Sequence, residues 1–195
     1  MSTGQAALQL AANLEAARTT HRHIEALAEP LERAADAVRA ALLAGNKLLC
    51  CGNGGSAADS AHLCAEIAGR YKLDRPGYAA IDLTANAALV TALANDFPPE
   101  QVFARQVQAF GAADDVLIAF TTSGRSTNIR LALEMAPAKR MRTIVFLGRD
   151  GGACKGLAEI ELLVPGDSTT RIQEAHLLLY HTLCDLIEPA LVKGR

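Results

Sequence analysis

Apolar positions recur first at helical spacing. Leu8, Ala11, Ala12 and Leu14 form one set, and Leu31, Ala34, Ala35, Val38, Leu42 and Leu43 form a second. Positions three and four apart share a helix face, so residues 5 to about 44 are expected to be helical almost throughout. Pro30 divides the stretch in two, because proline is tolerated in a first turn but not in a helix interior. Gly45 stops the second helix. The apolar faces of the first helix are wide enough to pack against something besides their own domain, and a partner subunit is the simplest such surface.

From Lys47 onward the pattern changes to short apolar runs separated by helical stretches. Lys47–Cys51, Tyr78–Leu83, Asp115–Phe120, Arg142–Leu147 and Ile160–Val164 are the strand candidates. Apolar runs without alternation are what a sheet covered on both faces requires. Helical patterns lie at 56–70, 86–95, 99–111, 126–138 and 152–157, and a long last helix is expected over 169–191, ended at Pro189 or just past it. Such alternation implies right-handed crossovers. The expected fold is therefore α/β: a doubly wound, five-stranded parallel sheet with N-terminal helices and a long C-terminal helix. Residues 1–195 read as a single domain, with a helical segment at 1–44 suited to oligomerisation and an α/β core at 45–195.

Composition narrows the function classes. With 195 residues there is room for one core, and a chain half apolar and 21% charged has the mix of a soluble globular protein. Lys and Arg number 19 against 21 Asp and Glu, which gives no general field for nucleic acid or an anionic membrane but leaves room for a local anion site. Five Phe, three Tyr and no Trp are too few for a base-stacking platform, so neither nucleic acid nor membrane is expected as a partner. Apolar runs stay under ten residues, too short to span a bilayer, and the first twenty residues lack the hydrophobic block of a signal peptide. A cytoplasmic protein is expected. The five cysteines form no CxxC pair and read as buried apolar groups.

Two strand ends carry distinctive chemistry. Gly52-Asn53-Gly54-Gly55-Ser56 follows the first strand, and Thr121-Thr122-Ser123-Gly124-Arg125-Ser126 follows the third. Each runs into a helix, whose free N–H groups and partial positive charge favour an anion. Ligands of doubly wound sheets bind beyond these strand ends. The plainer alternatives are a tight glycine turn and a hydroxyl helix cap. Neither loop is a Walker A or a GxGxxG sequence, so a phosphorylated small molecule suits the pair better than a nucleotide.

His62 and Glu66 stand four apart on the helix after the glycine loop and share one face. An imidazole and a carboxylate at this spacing suit a divalent metal, although such pairs also occur as plain surface contacts. Gln173 and His181 lie in the last helix, where His181 falls in a mostly apolar run and reads by itself as a core histidine.

Cys51-Gly-Asn-Gly-Gly-Ser-Ala-Ala-Asp59, with Thr122-Ser-Gly-Arg-Ser126 and Arg171-Ile-Gln-Glu174, resembles the sugar isomerase (SIS) domain, and within it the phosphoheptose isomerase family. The likeness runs from about Gly45 to Glu188. The second loop of that family is usually Ser-Thr-Ser-Gly-Asn/Lys-Ser, so Thr121 keeps a hydroxyl and Arg125 adds a charge. The resemblance implies one Zn²⁺ per subunit, held by His62, Glu66, Gln173 and His181. It further implies conversion of sedoheptulose 7-phosphate to D-glycero-D-manno-heptose 7-phosphate through an enediol, a first step toward heptose units of lipopolysaccharide or related glycans. Glu66 is then the base and His181 the acid, with the metal stabilising the enediolate oxygens. Substrate contacts would come from Asn53, Gly54, Gly55, Ser56, Glu66, Asn95, Asp96, Thr121, Thr122, Ser123, Ser126 and Gln173. A homotetramer with sites between subunits is also implied.

Several alternatives stay open. Gln173 and His181 are eight residues apart, about 12 Å along a helix. They reach one ion only through a bend, a frayed helix start, or contributions from different subunits. A carboxylate bound to zinc is a weak base, so Glu66 either releases the metal in turnover or acts through water. By chemistry alone Asn95-Asp96 is a turn pair, and Arg70, Arg75 and Arg105 are surface cations that could assist the phosphate. Noncatalytic SIS regulators that bind the replication initiator DnaA lack the carboxylate and histidine, both retained here as Glu66 and His181. An isomerase of another sugar phosphate is the third reading, because Phe97-Pro98-Pro99-Glu100 differs from the glycine-containing loop usual in the heptose enzymes.

Overall fold

The computed structural model describes residues 3–193. Helix α1 (Thr3–Ile24) and helix α2 (Ala28–Leu43) are separated by one tight turn at Glu25–Leu27, so the break falls just before Pro30, which occupies the first turn of α2. Then follow β1 (Leu48–Cys51), α3 (Gly55–Ala68), β2 (Ala80–Asp82), α4 (Ala87–Asp96), α5 (Val102–Phe110), β3 (Val116–Thr121), α6 (Thr127–Met135), β4 (Arg142–Gly148), β5 (Ile160–Val164) and α7 (Thr169–Lys193). All five strands pair in parallel in the order β2-β1-β3-β4-β5. The α/β doubly wound sheet expected from the pattern is the fold observed.

The two-residue period of the strands divides the core into two layers. Leu48, Cys50, Ile118, Phe120, Ile144 and Phe146 point toward α2, α3 and α7, whereas Leu49, Cys51, Leu117, Ala119, Val145 and Leu147 point toward α5 and α6. Strands β1 and β3 are buried on both faces, which is why they read as unbroken apolar runs. The five cysteines are free and buried, and burial raises the thiols of Cys51, Cys154 and Cys184.

Two expected helices differ. The stretch 152–157 contains only a single turn at Gly152–Cys154, because Gly151, Gly152 and Gly156 all take positive φ and break the helical path. Helix α7 runs through Pro189 to Lys193 instead of ending near the proline. Pro189 lacks the N–H that would bond the Asp185 carbonyl, and both residues are exposed. Helix α1 leaves Leu8, Leu10 and Leu14 exposed and is tied to α7 by the Arg171 guanidinium, which donates to the Asn13 carbonyl at 3.0 Å.

Candidate functional site

In the order β2-β1-β3-β4-β5 the chain leaves β1 toward one edge and β3 toward the other, so the crevice lies between their carboxyl ends. The two loops singled out in the sequence are the ones at this seam. They are joined across it: the amides of Asn53 and Asn128 exchange hydrogen bonds of 2.9 and 2.8 Å. Asn128 stands in the first turn of α6 and was not legible as a site residue, since a lone Asn near a helix start reads as a cap.

The second loop uses part of its hydroxyl chemistry on itself. Thr121 is buried, and its hydroxyl accepts the Gly124 N–H at 3.1 Å. Ser123 accepts from the Arg125 N–H at 3.2 Å, while Ser126, the residue before α6, makes no side-chain cap. Thr122, Ser123 and Ser126 remain partly accessible. Arg125 is exposed and pairs with Asp150 at 3.2 Å, which accounts for its charge as a tie to the β4–β5 connection.

Helix α3 leaves the glycine loop and presents His62 and Glu66 on one face, with His62 Nε2 2.9 Å from a Glu66 carboxylate oxygen. Helix α7 brings His181 to the same place. Donor atoms of His62, Glu66 and His181 all lie within 4.8 Å of one another, and the two imidazole rings meet edge-on at 5.1 Å. His181 is therefore not a core histidine. The fully buried histidine of α7 is His176, held by the Leu147 carbonyl at 3.0 Å and pushed down to about 4 by burial. Burial and the neighbouring His62 lower the His181 imidazole, with Glu66 pulling in the opposite direction.

Behind the cluster, the Tyr180 hydroxyl sits 2.9 Å from His62 Nδ1. Tyr180 is fully buried, and burial raises its hydroxyl well above the ordinary value, so it stays protonated and orients the ring. In the sequence it is one apolar residue of a run, with nothing to show its aim. Asp59, one turn before His62, is buried with one carboxylate oxygen unpartnered among the described residues. Burial pushes its carboxyl up to about 6, against the opposing effects of Gln173 and His62.

Gln173 lines a cleft of about 330 Å³ with Asp59, Thr170, Arg171, Glu174 and Leu177. Its amide fills the space above Gly55, where an added Cβ would fall 2.1 Å from Nε2. Gln173 thus approaches the glycine loop while His181, two turns on, approaches His62 and Glu66. Both belong to one unbroken helix in which Gln173 is the fifth residue.

The remaining candidates come from other parts of the chain. Asn95 and Asp96 are the last two residues of α4, not a loop turn, and their side chains bond to each other at 2.8 Å. Arg70 is exposed, and Arg105 lies over the Phe97 ring at 3.4 Å. Arg75 corrects the expectation of a surface cation: its side chain is only 1% exposed, paired with Glu188 at 3.2 Å.

The chain resembles known proteins over most of its length. The SIS domain family model matches residues 13–148. The phosphoheptose isomerase of Citrifermentans bemidjiense is 49% identical over 170 residues, covering 87% of this chain and 88% of that protein. That of Helicobacter pylori is 48% identical over 167 residues, covering 86% and 87%. Among solved structures, a phosphoheptose isomerase from Francisella tularensis superposes with a TM-score of 0.90 at 36% identity, over 97% of this chain and all of that one. Phosphoheptose isomerase GmhA from Neisseria gonorrhoeae gives 0.86 at 39% identity, over 93% and 97%.

Proposed function

The chain belongs to the SIS domain family and, within it, to the phosphoheptose isomerases, and we propose that it converts sedoheptulose 7-phosphate to D-glycero-D-manno-heptose 7-phosphate. It is an aldose–ketose isomerase. The observation that supports this reading most is the meeting of Glu66 and His181, more than a hundred positions apart, beside His62. A noncatalytic binder has no use for a base and an acid in such proximity.

The loops Gly52–Ser56 and Thr121–Ser126 hold the phosphate end with N–H groups and hydroxyls. Asn53, Ser56, Thr122, Ser123 and Ser126 are the polar side chains in reach of that role, with Asn95 and Asp96 assigned to the sugar. Glu66 takes a proton from C1 of the ketose while the C2 carbonyl oxygen takes one from water, and an enediol results. His181 delivers a proton to C2 while the C1 hydroxyl passes its own to water and becomes the aldehyde carbonyl, and transfer of the first proton from Glu66 to His181 restores both groups.

Two imidazoles and one carboxylate within 4.8 Å are a donor set that fits a divalent ion, and Zn²⁺ accepts both types. His62, Glu66 and His181 would hold it, with Gln173 as the fourth residue of the set. When bound, the ion supplies Lewis-acid stabilisation of the enediolate oxygens. The hydroxyl of Tyr180 fixes the His62 ring, so that Nε2 faces the cluster.

The reading includes a homotetramer with sites between subunits, supported by the exposed Leu8, Leu10 and Leu14 of α1 and Leu177, Leu178 and Leu186 of α7. It also includes a cytoplasmic location and a supply of heptose for lipopolysaccharide or related glycans, since a phosphate monoester substrate does not cross a bilayer unaided. No described helix is long and apolar enough to span a membrane.

The test is incubation of the purified protein with sedoheptulose 7-phosphate, with and without chelator, followed by measurement of the aldose phosphate. Product that disappears on chelation and returns with Zn²⁺ is expected. No aldose under any of these conditions would favour the noncatalytic regulator.

A further inference from the structure

We propose that Arg75 and Glu188 are positioning residues for the reaction, a buried ion pair that locks the helix bearing Glu66 to the helix bearing His181. The inference rests on the assignment of Glu66 and His181 as base and acid.

The pair is almost wholly enclosed, with side chains 1% and 4% exposed. Glu188 lies seven residues after His181 on α7, two turns along the same face. Its carboxylate collects four donors: the N–H groups of Tyr71, Lys72 and Leu73 at 3.0, 2.9 and 3.0 Å, and Arg75 Nε at 3.2 Å. Burial opposes its charge, but those donors together outweigh burial and hold the carboxyl below its ordinary range.

Arg75 turns its other edge to the end of α3. Its Nη2 donates to the Glu66 carbonyl at 2.6 Å, and its Nη1 donates to the Ile67 and Pro76 carbonyls at 3.0 and 3.1 Å. The last four carbonyls of a helix have no partner within it, and a cation there is favoured by the helix dipole. The guanidinium therefore caps α3 at the residue that carries the base.

The other catalytic group is held by the same device. Tyr71, whose N–H Glu188 anchors, lays its ring over the His181 imidazole at 5.7 Å and a 30° tilt. One ion pair thus fixes the backbone of Glu66 and the packing surface of His181. Apolar replacements commonly stabilise as well as a buried pair does, so cohesion alone does not account for charges placed here. Direction does: only a planar fork with several donors reaches the carboxylate and two helix carbonyls at once.

The experiment compares Arg75→Lys and Glu188→Gln with Val107→Ala, a buried change in α5 on the opposite face of the sheet. All are assayed below their melting temperatures, with circular dichroism confirming the folded state. Expected for the two pair variants is a fall in kcat of at least tenfold with KM for sedoheptulose 7-phosphate within twofold, because the phosphate loops are untouched. Binding of Zn²⁺, followed by titration calorimetry without substrate, should weaken at least tenfold. Val107→Ala should match their loss of melting temperature and keep kcat and Zn²⁺ affinity. The proposal is overturned if the pair variants behave like Val107→Ala in both readouts. Should Arg75→Lys fail to fold, Glu188→Gln decides alone, since its amide oxygen can still accept from the Lys72 and Leu73 N–H groups while the Tyr71 N–H and Arg75 lose their acceptor. Parent protein that leaves the sugar phosphate unchanged, with Zn²⁺ binding still weakened in the variants, would overturn the isomerase reading and not the latch.

Discussion

The hydroxyl of Tyr180 and Nδ1 of His62 lie 2.9 Å apart, across the junction of α7 and α3. Tyr180 precedes His181 in sequence but faces the core, so neighbouring residues of one helix grip the same imidazole from behind and from the side. The ring that offers Nε2 to Glu66 is consequently oriented by a group buried beneath it.

Tyr180→Phe removes this bond and leaves the ring packing intact. Because outer partners of a metal-binding histidine typically contribute 10–100-fold in affinity, Zn²⁺ binding should weaken by about tenfold or more. Stability should fall by only about 1 kcal/mol, since partly exposed His62 finds water instead. Calorimetric Zn²⁺ titration and a urea melt measure the two effects; unchanged Zn²⁺ affinity would remove Tyr180 from the site.

Glu66→Gln is isosteric and should fold normally. Loss of a general base costs about 10²–10⁴-fold in rate, so kcat should drop by at least a hundredfold. Proton exchange at C1 in deuterated buffer, followed by NMR, should stop in parallel. A variant that keeps full turnover would show that another group takes the proton.

Gly55→Ala asks whether Gln173 matters. The new methyl group would lie 2.1 Å from the Gln173 amide, the far end of a flexible side chain, which can swing away. The melting temperature should change little while activity falls about tenfold, as the amide leaves the loop. Gln173→Ala should reproduce the loss, and the double variant should add nothing to it.

Acid should loosen the fold through His176. Burial holds its imidazole neutral down to about 4, whereas an unfolded histidine charges near 6.5. The unfolded chain therefore binds more protons between these values, and stability is lost as pH falls below about 6.5, by about 1.4 kcal/mol per unit until about pH 4. Urea denaturation at pH 7.5 and 5.5 should show this loss in the parent and a smaller one in His176→Gln. Equal losses would mean that His176 is not the group responsible.

The strands were legible because burial on both faces leaves unbroken apolar runs, and the two loops because glycine and hydroxyl clusters sit where β1 and β3 end. The segment 152–157 misled because its glycines count little in an apolar pattern yet decide the backbone path. His62 and Glu66 could be paired from spacing on one helix. Their meeting with His181 is a tertiary relationship between α3 and α7, and no local pattern encodes it. Arg75 was least legible of all, since an arginine beside Asp74 and Pro76 has the signature of a surface turn, and only its distant partner Glu188 turns it inward.

None of the five thiols described with the core belongs to the donor cluster, which is built of imidazole and carboxylate. Oxidants that eject ions from thiolate sites find no sulfur ligand to attack here, and all five cysteines are enclosed, with burial raising the thiols of Cys51, Cys154 and Cys184. Enzyme loaded with Zn²⁺ and handled in air without reductant should therefore keep its turnover, and alkylating agents should spare it until it unfolds.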